Sequence, residues 1–358
     1  MRLAISLILL GVLAQLSASD QDDARRDAAR SAGLRWLSDH QIREGHLAGA
    51  WECANPRYQV AVAALAGLAL LADGRLPSPT GPGETTDRVL SFILARQDAG
   101  GYLGQGDPSG MYIHAIATLF CLSCVGMHAD PERDRLVTEA CRKALAVISD
   151  AQQVARPPSA RGGWRYTPGS TQADVSVTSW QLLALHAGRQ CGFPIDAAVI
   201  DEGLAYLDRA WRESDHAKGF AYDPSVDRKP ETGATGAAIF IRTLLRGEAD
   251  QRSLDAIRWL DTQPPAWGGK QYHGYFFFVS LYLAQARFQI GGETWITFRA
   301  GLEDILLRRQ SGDGTWPMPG DSVPQLAEAG PAYPTALALL LLSLDKQYLP
   351  WAQRLDMP

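Results

Sequence analysis

The turn that decides the fold reads Arg309-Gln310-Ser311-Gly312-Asp313-Gly314-Thr315-Trp316, and a helical pattern lies on each side of it. Comparable turns recur roughly every 45 to 60 residues, a spacing typical of repeat architectures. Five other turns share the combination of glycine and an aromatic residue: Gly49-Ala50-Trp51, Gly100-Gly101-Tyr102, Gly162-Gly163-Trp164, Gly219-Phe220-Ala221 and Trp267-Gly268-Gly269. The chain therefore predicts six copies of one helix-turn-helix unit.

The two helices of each unit differ in polarity. Residues 134–151 and 195–211 place apolar side chains at i, i+3 and i+4 with charges between them, as half-exposed helices do. The second helices are apolar on nearly all faces, which predicts burial; they are residues 60–71, 113–125, 175–185, 234–245, 275–286 and 332–344. We expect an outer ring of first helices around an inner ring of second helices.

The last inner helix favours closure of the ring. Residues 336–342 are the most apolar run among these helices, whereas an open solenoid usually ends in a polar capping repeat. Packing of the first repeat against the last would cover this run. No stretch shows sustained alternation of apolar and polar residues, so few strands are expected. The fold class is predicted to be all-α, an (α/α)6 toroid.

Residues 1–19 have the pattern of a signal peptide. Arg2 precedes an apolar run over residues 3–14, and the segment Leu16-Ser17-Ala18-Ser19 that follows offers small residues for cleavage. This predicts an exported protein, periplasmic or secreted, with one domain over residues 20–358 and no transmembrane segment after cleavage; an uncleaved anchor is the alternative. The net charge of −5, without a lysine- or arginine-rich run, argues against a nucleic-acid partner.

The five cysteines are an odd number, so at least one thiol is unpaired within the chain. Cys121 and Cys124 have CxxC spacing, but they lie in an apolar helical run without a second such pair. Buried structural cysteines are favoured over a zinc or redox motif. Export permits a disulfide, and the sequence leaves its pairing open.

Two of the turns resemble the QW repeats of squalene and oxidosqualene cyclases. They are Arg96-Gln97-Asp98-Ala99-Gly100-Gly101-Tyr102 and the turn at residues 309–316. Residues 162–166 and 173–180 resemble the third unit of these cyclases and of protein prenyltransferase β subunits. The resemblance covers almost the whole chain after residue 19. It implies a divergent member of a terpenoid cyclase-like toroid superfamily.

The resemblance also implies where chemistry would lie, and the chain departs from the family there. Cyclases carry a DxDD motif whose middle Asp protonates the substrate; here Asp174 remains, and Ser176 and Val177 replace the other acids. Prenyltransferases hold zinc with Asp, Cys and His. Ser176 replaces that Cys, whereas Tyr272-His273 resembles the segment that supplies the His. We therefore expect no metal and no cofactor.

The first residues of the inner helices are predicted to line one mouth of a central cavity that is apolar deeper down. Asp174 could orient His273 as a general base, with Tyr272 beside it. Asp174 could equally be a structural helix N-cap, and the histidines structural pocket residues. The predicted ligand-cavity residues are Tyr58, Tyr112, His114, Ser176, Thr178, Tyr275 and Tyr333.

Three functions remain open from the sequence. The first is a cyclase-like enzyme, or a protein that binds an isoprenoid or another lipid-like ligand. The second is a non-catalytic exported toroid that binds a peptide or glycan. The third is a polysaccharide lyase or hydrolase, for which no pair of carboxylates stands out. All three imply a small-molecule or extended-chain ligand.

Overall fold

The computed structural model describes residues 2–227 and 229–354, with side chains from residue 21 onward. The predicted signal peptide lies outside the residues whose side chains are described. The outer helices are α1 (Arg2–Asp39), α3 (Glu84–Leu94), α5 (Pro131–Gln152), α7 (Ala197–Arg209), α9 (Gln251–Asp261) and α11 (Gly292–Arg309). The inner helices are α2 (Gln59–Ala72), α4 (Gly110–Leu122), α6 (Val175–Gln190), α8 (Thr232–Arg246), α10 (Phe276–Ile290) and α12 (Ala332–Leu341).

The inner helices form a closed ring. Each contacts the next along the chain, and α12 contacts α2. Every outer helix packs on the inner helix that precedes it, and α1 packs on α12. Most inner-helix residues are buried, because these helices have neighbours on all sides. The predicted (α/α)6 toroid is confirmed.

The described residues contain little β-structure. Strands β1 (Trp211–Glu213) and β2 (Lys218–Phe220) pair antiparallel, with Trp211 opposite Phe220, in the fourth turn. The helix expected over residues 195–211 therefore ends at Arg209, because the backbone from Trp211 onward pairs with β2. Short 3-10 turns occupy Gly45–Leu47, Pro56–Tyr58, Gly81–Gly83, Lys270–Tyr272, Pro324–Ala329, Leu344–Lys346 and Pro350–Ala352.

Four glutamines join adjacent repeats. Each side-chain Nε2 donates to a glycine carbonyl of its own turn and to a carbonyl of the following outer helix. These bonds are 2.8 to 3.1 Å long: Gln41 bonds Gly49 and Thr85, Gln97 bonds Gly101 and Ala140, Gln152 bonds Gly162 and Val199, and Gln310 bonds Gly314 and Ala29. The bond from Gln310 to α1 joins the last repeat to the first.

The turns need glycine because they lie directly on the following outer helix. Gly49 has φ +96°, and a Cβ there would lie 2.1 Å from the Arg88 carbonyl oxygen in α3. A Cβ on Gly162, at φ +79°, would lie 2.2 Å from the carbonyl oxygen of Glu202 in α7. A side chain at either position would therefore push two repeats apart.

Tryptophans of three turns fix the ends of the preceding outer helices. The indole nitrogens of Trp51, Trp164 and Trp316 donate at 2.8 to 2.9 Å to backbone carbonyls near those ends. All three rings are almost fully buried. The aromatic residue of the repeat thus satisfies a helix-end carbonyl while it fills the core.

The segment after α12 crosses the ring at the C-terminal ends of the inner helices. The Trp351 indole donates to the Ser123 hydroxyl, at the end of α4, at 3.1 Å. Gln289 of α10 donates to the Ala352 carbonyl at 2.9 Å, and Pro350–Ala352 contacts α6. Residues 343–354 therefore close this end, and we call them the C-terminal plug.

All five cysteines are free thiols in the structure. Among the described residues, no helix is both long enough and apolar enough to cross a membrane.

The glutamine bridges can be tested at Gln152. Substitution Gln152→Ala would remove two hydrogen bonds and leave the buried Gly162 carbonyl without a donor, so we expect the free energy of unfolding to fall by about 2–4 kcal/mol. Gln153→Ala is the control, since the exposed Gln153 follows directly. Urea denaturation followed by circular dichroism measures both; equal effects would show that the bridge is not what stabilises the turn.

Candidate functional site

A cavity of about 970 Å³ opens at the N-terminal ends of the inner helices. Tyrosine dominates its wall. Eight of the eleven tyrosines in the chain line it, far more than an even distribution would place there: Tyr58, Tyr112, Tyr166, Tyr222, Tyr272, Tyr275, Tyr282 and Tyr333. The volume lies at the upper end of the range of small-molecule sites.

Polarity changes from the mouth to the floor. Deeper lining comes from apolar side chains within the inner helices, including Leu65 and Ile116. The loops that precede the inner helices supply the charged lining, which consists of Asp107, Asp227, Lys229 and Glu231, together with His273. A ligand with an apolar body and a polar end matches this arrangement.

Hydrogen bonds between hydroxyl groups order the tyrosine-rich wall. Ser176 and Tyr282 are joined at 2.8 Å between hydroxyl oxygens, and Tyr166 and Tyr222 at 2.7 Å. Burial raises the pKa of Tyr112 and Tyr282 well above the usual range, so both phenols stay neutral. The wall therefore presents neutral ring faces and hydroxyl groups.

Asp174 lies behind this wall and does not line the cavity. It is fully buried as the N-cap of α6, where its Oδ1 accepts from the Val177 amide at 2.8 Å. Its Oδ2 lies 3.4 Å from the Arg165 Nε. Burial raises the pKa of Asp174 to about 7, although the amide, Arg165 and Tyr222 all act to lower it. The N-cap role accounts for Oδ1, whereas the buried Oδ2 has the Arg165 guanidinium beside it and no hydrogen-bond donor among the described residues.

Arg165 connects Asp174 to the cavity wall. Its guanidinium carbon lies 4.7 Å from the ring centroid of Tyr166 and 5.6 Å from that of Tyr222. Its Nη1 also donates to Asp223 at 3.0 Å. The cation thus supports two of the lining tyrosines from behind.

The predicted Asp174–Tyr272–His273 constellation is not assembled. His273 projects at the mouth with its side chain 62% exposed, and its Nε2 lies 3.6 Å from the Oε1 of Glu231, not beside Asp174. The Tyr272 hydroxyl accepts from the Ala266 amide at 3.2 Å. Among the described residues no contact joins Asp174 to His273, because the N-cap bond holds the Asp174 carboxyl inside its own turn. The carboxylate nearest the histidine is Glu231.

Five of the seven predicted lining residues do line the cavity: Tyr58, Tyr112, Ser176, Tyr275 and Tyr333. The other two, His114 and Thr178, do not. The assignment of His114 and Thr178 to the cavity is corrected. Thr178 is fully buried, and its Oγ1 accepts from the Trp164 amide at 3.0 Å.

His114 plays the same part in the second turn. Its Nδ1 accepts from the Leu103 amide at 3.2 Å, and its Nε2 lies 3.0 Å from the Ala144 carbonyl oxygen, to which it donates. Burial lowers the pKa of His114 to about 4, so the ring is neutral. Its role is structural.

At the start of the inner helices, residues that face the cavity lie two positions before residues that bond to the preceding turn. Two residues of an α-helix turn it by about 200°, so they point to opposite faces. In four of the inner helices a cavity residue therefore lies two positions before a residue that accepts a turn amide; the pairs are Tyr112 and His114, Ser176 and Thr178, Gly233 and Thr235, and Tyr333 and Thr335.

Sequence reasoning missed several lining residues. Tyr166 and Tyr222 each follow the aromatic residue of their turn by two positions, and this shared offset was the available signal. Phe278 and Tyr282 are four residues apart on α10, which places them on one helix face. The mouth acids Asp227 and Glu231 lie in a loop without a periodic pattern, so nothing in the sequence singled them out.

The residues that resemble the prenyltransferase zinc ligands do not converge either. Asp174 is behind the wall, Ser176 bonds Tyr282, and His273 lies at the mouth. Within the described part of the chain, no group of three or more His, Cys, Asp or Glu side chains is arranged to hold a metal ion.

No protein-family model and no curated protein matches the sequence. Solved structures share the fold. The α-1,6-mannanase GH76A of Salegentibacter sp. HEL1_6, as an inactive variant with α-1,6-mannotriose, superposes with a TM-score of 0.62 at 9% identity, covering 88% of this chain and 99% of that one. A variant of the type II terpene cyclase MstE from Scytonema, with geranylgeranyl dihydroxybenzoate, gives 0.56 at 16% identity, covering 92% and 99%.

A third similar structure is a mutant of Rex8A from Paenibacillus barcinonensis complexed with xylose, with a TM-score of 0.52 at 12% identity, covering 94% of this chain and 97% of that one. The mannanase and the cyclase are enzymes of different chemistry on one fold. At these identities the similarity establishes the toroid and no activity.

The burial of Asp174 predicts a pH dependence of stability. An acid with a raised pKa keeps its proton in the folded state at pH values where the unfolded chain has lost it. The free energy of unfolding of the wild type should therefore fall as the pH rises from 3.8, the ordinary pKa of an aspartate, to about 7, the pKa of Asp174 in the folded protein. In Asp174→Asn this loss, at most about 4 kcal/mol, should be absent.

The measurement is the free energy of unfolding of both proteins by urea across that pH range. Asp196→Asn, which changes an exposed helix N-cap in α7, controls for the loss of a capping carboxylate. Parallel pH curves for the wild type and Asp174→Asn would contradict a raised pKa at this site.

Proposed function

We propose that this protein binds an isoprenoid-like ligand, an apolar chain with a hydroxyl or similar polar end, in the tyrosine-lined cavity. The observation that carries the proposal is a cavity of about 970 Å³ with an apolar floor and a charged mouth. Burial of a hydrocarbon chain against such a floor is favourable by roughly 25 cal/mol per Å² of apolar surface.

The tyrosines suit this ligand in two ways. Their ring faces offer neutral, polarisable surfaces against which unsaturated chains pack. Their hydroxyl groups, with Ser176, offer hydrogen bonds to a polar group on the ligand. Arg165 behind Tyr166 and Tyr222 holds two of these rings in place, which limits the side-chain entropy lost when the ligand binds.

Binding without cyclisation fits the deeper wall best. Ser176 occupies the position of the acid that would protonate an alkene, and it bonds Tyr282. The carboxyl of Asp174 is behind the wall, bonded to an amide of its own turn. Among the described lining residues, the acids lie at the mouth. A proton donor at the mouth would be separated from the end of a ligand chain that is bound at the apolar floor.

A glycan-degrading enzyme is the second candidate, because carboxylates do line the mouth. A glycosidase needs two of them beside one bond, one as acid and one as base or nucleophile. Asp107 accepts from the Ser109 amide, Asp227 from the Asp223 amide, and both oxygens of Glu231 accept from amides of α8. All three thus serve loop and helix geometry, which favours the first candidate.

We also propose that the chain is exported and that residues 20–358 form the mature domain, on the strength of the pattern in residues 1–19. The intact mass of the protein recovered from outside the cytoplasm would report the cleavage.

The proposed ligand class is tested by equilibrium binding to the purified protein. We expect farnesol or geranylgeraniol to bind and raise the melting temperature, because a ligand that binds only the folded state stabilises it by about 2.7 kcal/mol at a hundred times its Kd. α-1,6-Mannotriose and xylotriose are the carbohydrate probes, and a short peptide mixture is the third arm.

Leu65→Arg is the matched variant, since it places a charge on the apolar floor. Loss of prenol binding in this variant, with circular dichroism unchanged, would support the assigned cavity. Stabilisation by an oligosaccharide and by no prenol would overturn the proposal in favour of the glycan candidate.

A further inference from the structure

The main cavity is closed below by three aromatic rings that contact one another. The centroids of Trp180 and Phe278 are 5.7 Å apart, those of Phe278 and Tyr282 are 5.2 Å apart, and those of Trp180 and Tyr282 are 6.2 Å apart. These separations are typical of packed aromatic pairs. We call the three rings the aromatic partition.

A second, much smaller cavity lies on the other side of the partition. Trp180 lines it with Leu281, Gln285 and Trp351, whereas Phe278 and Tyr282 line the main cavity. Its volume is about 20 Å³, which accommodates about one water molecule. The C-terminal plug seals it through Trp351.

The partition is well supported on both sides. Tyr282 is fixed by its bond to Ser176, and Phe278 also forms a T-shaped contact with Tyr112, with 6.0 Å between the ring centroids. Trp180, on α6, is nearly fully buried, with its ring against Phe278 and Tyr282 of α10. A ligand chain that enters from the mouth therefore ends at these rings, because neither the rings nor the small cavity leave space for another chain unit.

We infer that the aromatic partition sets the maximum chain length of the ligand, with Trp180 as its length-determining residue. The inference rests on the proposed function, since it requires that an apolar chain enters the main cavity. Replacement of Trp180 by a small residue joins the two cavities and extends the site as far as the plug. The extended site takes a chain longer by about one isoprene unit, because the removed indole is of comparable size.

The test is a series of prenols of increasing length, from geraniol through farnesol and geranylgeraniol to geranylfarnesol, bound to the full protein. In Trp180→Ala the length of tightest binding moves up by at least one isoprene unit, and the affinity for the next longer prenol rises about tenfold. Trp180→Leu, which keeps an apolar side chain in the core, gives a smaller shift in the same direction if the alanine variant fails to fold.

Leu281→Ala is the control. Leu281 is buried and lines only the small cavity, so its loss enlarges the space below the partition without opening it. We expect the Leu281→Ala variant to prefer the same prenol length as the wild type. If the wild type binds prenols and the folded Trp180 variants prefer the same chain length, the inference is overturned and the proposed function stands. If the wild type binds no prenol, the proposed function is overturned.

Discussion

This toroid depends on one repeated interaction. In it, a glutamine side-chain amide donates hydrogen bonds to two carbonyls from neighbouring repeats. In four of the turns, Nε2 spans the glycine of its own turn and the next outer helix, and the glycine permits the approach because it has no side chain. Two hydrogen bonds per amide are modest contributions in themselves. Their effect is positional, because they fix the distances between four pairs of neighbouring outer helices: α11 and α1, α1 and α3, α3 and α5, and α5 and α7.

The same turns decide which residues are available for function. A residue at the start of an inner helix either satisfies its turn or faces the cavity, and the two faces are two residues apart. Three residues of types that often take part in catalysis instead accept backbone amides in or beside their turns; they are Asp174, Thr178 and His114. Ser176 and Tyr112 face the cavity, which is consequently rich in neutral hydroxyl groups, and the acids among its described lining residues lie at the mouth.

The fold was predictable because helical periodicity and the repeated turns are local signals, and every inner helix was located to within a few residues. The site was predictable only in part. Tyr58, Tyr275 and Tyr333 could be placed at the mouth from their positions in the repeat, whereas the proximity of His273 to Glu231 depends on how two loops from different repeats meet. The aromatic partition depends on packing between α6 and α10 and on the C-terminal plug, which no pattern in the sequence connects.

Native mass spectrometry of the protein, purified from its own source without detergent, tests most directly whether the cavity holds an apolar chain. The account predicts one bound molecule per chain that organic solvent extracts and whose fragments differ by isoprene units. A bound molecule with fragments that differ by hexose or pentose units would contradict it, and would assign the mouth carboxylates to glycan chemistry.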